Sequence, residues 1–71
     1  MNDKELELLE AAGNCYQTCH EGFDRTMEMI SGWRGYTPEE VIEILRNVRK
    51  KYGESEEYIK LRKRFPEDFP L

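Results

Sequence analysis

Histidine is almost missing from this chain. His20 stands alone, and Cys15 and Cys19 are the only cysteines. A structural zinc site needs four nitrogen or sulfur donors. Cys15, Cys19 and His20 are the metal-ligand candidates, and they cannot complete such a site from one chain. A cysteine nucleophile needs a base beside its thiol. His20 follows Cys19 directly, and adjacent helical residues point about 100° apart, which argues against a cysteine hydrolase. Two cysteines four positions apart cannot tie distant elements together, so a disulfide framework is ruled out as well. No apolar run approaches the roughly 18 residues that a membrane span requires. The opening Met1-Asn2-Asp3-Lys4-Glu5 is acidic and lacks an apolar signal core. These absences lead us to expect a soluble cytoplasmic protein with reduced thiols, no membrane contact and no cofactor.

β-Branched residues are also few outside one segment, while Glu, Lys, Arg and Leu dominate, a composition that favours helix. The 71 residues fit one small domain, which buries only about 60% of its unfolded surface. Apolar residues make up 38% and charged residues 37%, yet the apolar ones are periodic, so disorder is not indicated. Net charge is −4 and unevenly spread: residues 1–45 hold ten acids and three bases, residues 46–71 five acids and eight bases. An acidic first half and a basic second half can compensate each other within one fold. The basic half can also face an acidic partner or a nucleic acid.

Leu9, Ala12, Tyr16, Cys19, Phe23, Met27 and Ile30 recur at steps of three and four residues, the seam of an amphipathic helix. Asn2 and Glu5 form a capping box ahead of it. Gly13-Asn14 is a candidate interruption, but the apolar phase runs on across it. The pattern therefore predicts one long helix over residues 3–31, bent near Gly13 or Gly22, with Glu7, Glu10, Glu21, Arg25 and Glu28 on its polar arc. The two glycines of residues 31–36 mark a loop, where Trp33 and Tyr36 either plug the end of the core or meet a partner. Thr37, Pro38 and Glu40 are a strong helix start. That helix covers 38–52, with Val41, Ile44, Leu45, Val48 and Tyr52 inward, and Gly53 is its expected C′ residue. Ser55 caps a third helix over 56–64, stopped by Pro66. Residues 65–71 form an extended tail, in which Phe69 and Leu71 lie back on the helices or serve as a linear motif. The expected fold is all-α: a small three-helix bundle with an antiparallel second helix and a short third one, in a single domain spanning 1–71.

Three site hypotheses follow. Glu7-x-x-Glu10 and Glu21-x-x-Asp24 resemble in spacing the carboxylate pairs of all-α nucleotide pyrophosphohydrolases. Those enzymes converge such pairs from facing helices onto magnesium, whereas here both pairs fall on one helix, so no enzyme is expected. The second and third helices can form a helix-turn-helix, with Lys60, Arg62, Lys63 and Arg64 on phosphates. Glu54, Glu56 and Glu57 oppose that reading, which is the alternative here. The preferred reading is a non-enzymatic interaction module — adaptor, inhibitor or regulatory subunit — acting through a helical surface. The first helix exceeds the helices available to cover it, so surplus seam would meet a protein partner or a second copy in a homodimer. Trp33, Tyr36, Glu21, Asp24 and Glu28 are the partner-surface candidates. With Glu7 and Glu10, the acids can also occupy a basic nucleic-acid-binding cleft on another protein.

Overall fold

A computed structural model describes residues 1–33 and 35–71. Among them four helices form: α1 (Asp3–Cys19), α2 (Phe23–Ser31), α3 (Pro38–Tyr52) and α4 (Glu56–Arg62). Both expected capping boxes are present. Asn2 Oδ1 accepts from the Glu5 amide at 2.9 Å while Glu5 Oε1 accepts from the Asn2 amide at 3.1 Å. Thr37 and Glu40 repeat the arrangement at 3.2 and 3.0 Å. Ser55 Oγ caps α4 by accepting from the Tyr58 amide at 3.2 Å.

The long first helix is in fact two. Gly13 and Asn14 lie inside α1, and the break falls at residues 20–22. His20 adopts the left-handed conformation at φ 57°, and Gly22 takes φ 88°, ψ 175°, a region open essentially to glycine. Compactness explains the break. An unbroken helix over residues 3–31 would be about 42 Å long, whereas the longest extent of the molecule is 28 Å. Folding α2 back onto α1 lets the two halves of the seam cover each other. Leu9, Ala12, Met27 and Ile30 are all buried. Phase continuity misled the sequence reading because a seam residue faces the core whether the chain runs on or turns back. The seam is therefore largely covered, with Tyr16, Cys19 and Phe23 half-buried between its buried ends.

Helices α1, α2 and α3 pack against one another, and α4 stands further out. The α4 segment and the tail run along α1 from its first turns to its last. The Met1 amino group pairs with Glu57 at 3.5 Å near one end, and Tyr16 Oη donates to Asp68 at 3.1 Å near the other. Helix α4 ends two residues earlier than expected because its last turn tightens: the Arg64 amide donates to Leu61 O at 3.1 Å and Phe65 to Arg62 O at 3.2 Å. Gly53 is right-handed, at φ −56°, rather than a left-handed C′ residue.

The tail belongs to the core. Phe65, Phe69 and Leu71 are buried. The Phe69 ring lies 5.3 Å from Tyr16, 5.6 Å from Phe65 and 6.4 Å from Phe23, centroid to centroid. Tyr58 Oη donates to Leu71 O at 3.0 Å. Arg62 donates to Pro66 O at 3.0 Å and to Phe69 O, with its guanidinium 5.2 Å above the Phe69 ring.

Candidate functional site

With most of the seam covered, the most exposed apolar side chains lie where the pattern runs out of phase. Met29 is 43% exposed, Trp33 53% and Ile59 40%. Met29 and Trp33 belong together. They are four residues apart, and the chain continues the turn past α2, with Gly32 right-handed and the Trp33 amide donating to Ile30 O at 3.2 Å. The arc of α2 that faces away from the core reads Asp24, Arg25, Glu28 and Met29, while Thr26, Met27 and Ile30 are buried on the other side.

Two acids pair with Arg25 on this arc. Arg25 reaches Glu21 at 3.3 Å and Glu28 at 3.1 Å, one residue before the helix and one within it. All three side chains are more than half exposed, so these pairs add little stability. The Glu28 and Glu21 carboxylates raise the Arg25 pKa further. With Asp24 the patch carries three acids and one base, beside an apolar edge of Met29 and Trp33. The structure thus gathers Glu21 and Glu28 around Arg25, with Asp24 on the same exposed arc, and leaves Trp33 exposed just past the end of α2. Trp33 does not plug the core. Tyr36 is half-buried instead, with Lys4 Nζ 4.9 Å from its ring centre, and it turns towards α1. Met29 was missed by the sequence reading. Its signal was its position off the phase set by Met27 and Ile30.

The other candidates fall apart in space or are otherwise engaged. Arg62 is clamped onto the tail, so Lys60, Lys63 and Arg64 are the exposed cations of that segment. Lys60 and Arg64 share a shallow groove with Glu10 and Glu57. The break at residues 20–22 puts Glu7 and Glu10 on α1 and Asp24 on α2, with Glu21 just before it. Among the described residues no three His, Cys, Asp or Glu side chains gather as metal ligands. The Cys15 and Cys19 sulfurs are 3.3 Å apart. Burial, then the Cys19 thiol beside it, pushes the Cys15 pKa up. His20 lines a groove with Tyr16, Gln17 and Asp68. A separate groove gathers Arg46, Arg49 and Lys50 beside Phe23 and the tail, where Arg49 donates to Pro70 O at 3.1 Å.

No helix among the described residues is long and apolar enough to cross a membrane. Compared with protein-family models, curated proteins and solved structures, the chain matches none.

Proposed function

We propose that this chain is a non-enzymatic interaction module that binds a protein partner through the outward arc of α2. The observation that carries the reading is the exposure of Met29 and Trp33, large apolar side chains on and just past a helix whose outward arc is acidic. Tryptophan is enriched among the residues that dominate binding energy when desolvated at an interface centre. Methionine adapts its shape to an apolar partner surface. Glu21, Asp24 and Glu28 would form the polar rim and select a basic partner by charge. The complementary surface is therefore cationic with an apolar centre. A nucleic-acid-binding cleft on another protein is one surface of that kind.

Trp33 is the one tryptophan of the chain, so its fluorescence reports on this surface alone. Affinity capture from host cells, with the wild type alongside Trp33→Ala/Met29→Ala and Ile59→Ala, tests the proposal. A partner retained by Ile59→Ala, lost by the double variant and shifting Trp33 emission to the blue is the expected result. Single truncation of Trp33 should weaken that partner by about 2 kcal/mol or more, roughly thirtyfold. Charge reversal at Glu21 and Glu28 should slow association more than it speeds dissociation. Capture unchanged by the double variant overturns the proposal, as does retention of random duplex DNA at low salt by Lys60, Lys63 and Arg64 with no protein captured.

A further inference from the structure

The thiols at the end of α1 form a pair that the α2 surface does not use. Cys15 and Cys19 lie on successive turns, with their sulfurs 3.3 Å apart, both half-buried and both free. Residues four apart on a helix hold their Cβ atoms about 5–6 Å apart, whereas a disulfide draws them to about 3.5–4.5 Å. Joining the two sulfurs directly would unwind the last turn of α1. That turn carries Tyr16, which holds Asp68 and packs on Phe69. An ion placed between the sulfurs makes no such demand. With metal–sulfur bonds of about 2.3 Å, a linear two-coordinate ion holds its sulfurs about 4.6 Å apart. The pair, at 3.3 Å, must therefore open by about 1.3 Å, which Cβ atoms about 5–6 Å apart allow by side-chain rotation alone.

The number of donors decides which ion. Among the described residues no third His, Cys, Asp or Glu joins the pair. His20, in a left-handed turn, lines a groove with Tyr16, Gln17 and Asp68. Two thiolates are too few for zinc, which takes four donors in structural sites. Magnesium and calcium take oxygen. Soft thiolates select copper(I), and copper(I) accepts two-coordination by sulfur.

We propose that Cys15 and Cys19 form a two-coordinate thiolate site for copper(I). On binding, each S–H bond gives way to a sulfur–copper bond. One monovalent ion and two thiols yield a dithiolate complex of charge −1 and two protons released to solvent. No electron is transferred. The ion would staple the last turn of α1 just ahead of the break to α2.

Anaerobic titration of the whole chain with copper(I), in competition with the chromophoric chelator bicinchoninate, tests this. The expected result is one ion per 8.5 kDa chain, two protons released per ion, and two sulfur neighbours with no nitrogen in X-ray absorption. Cys15→Ser and Cys19→Ser should each lose capture with helical circular dichroism retained, and His20→Ala should keep it. The proposal is overturned if the wild type fails to compete or if either serine variant still captures copper(I). One ion shared by two chains, with the solution mass doubled, overturns it too. Should a serine variant lose its helicity, the absorption spectrum of the wild type decides alone: a nitrogen or oxygen neighbour refutes the site.

Discussion

The ring of Phe65 rests on the backbone of Gly13. A Cβ added at residue 13 would overlap the ring edge, so glycine sits mid-helix to admit the tail rather than to end α1. Its helix-propensity penalty of about 1 kcal/mol relative to alanine is accepted for that contact. Gly13→Ala should therefore destabilise the protein by about 1–3 kcal/mol through overpacking. In a Phe65→Ala background, itself lowered by about 3–5 kcal/mol, the same change should be neutral or stabilising. Urea unfolding in a stabilising osmolyte measures the cycle, and a gain from Gly13→Ala in the wild type would contradict the packing account.

The break between α1 and α2 can be tested through its two unusual residues. Gly22→Ala places a side chain at φ 88°, ψ 175° and should cost about 1–3 kcal/mol. His20→Gly removes a Cβ from the left-handed region and should stabilise by up to about 1 kcal/mol. Thermal melts should move in opposite directions, by about 4–8 °C per kcal/mol for a domain of this size.

Arg62 holds the tail by shape as much as by charge. Its planar fork serves Pro66 O and Phe69 O at once while stacking on the Phe69 ring. Lysine keeps the charge and loses the fork. Arg62→Lys should lower stability by about 1–2 kcal/mol. Amide exchange should rise most over residues 65–71, and an unchanged exchange pattern there would refute the clamp.

Trp33 should matter less for folding than a core side chain. Its exposure of 53% predicts that Trp33→Ala costs about 1–2 kcal/mol. Leu45→Ala, at a buried α3 position, should cost about 2–5 kcal/mol. Acrylamide should quench the native fluorescence, to a degree between that of a buried tryptophan and that of the unfolded chain. A blue, protected emission from the free protein would place Trp33 in the core and remove the proposed surface.

Much of the fold was legible locally. The starts at Asn2, Thr37 and Ser55 were readable because a capping side chain bonds to amides two or three residues on, within the reach of sequence itself. The inward residues of α3 were readable from period alone. The site was half legible. Glu21, Asp24 and Glu28 shared a polar arc in the sequence and share a surface in the structure, but Trp33 and Tyr36 looked alike and part company. Tyr36 turns to Lys4 on α1, a neighbour thirty-two residues away, and no local pattern encodes that choice.

The sequence by itself determined the all-helical character, the starts of α1, α3 and α4 and the inward face of α3, since capping, propensity and periodicity are local in origin. Only the tertiary structure decided that the chain turns back at residues 20–22, that Gly13 receives Phe65, and that Arg62 grips the tail instead of facing outward. Each of those outcomes rests on contacts between residues distant in the chain. They are fixed by closing one small core, about which an unbroken amphipathic pattern is silent.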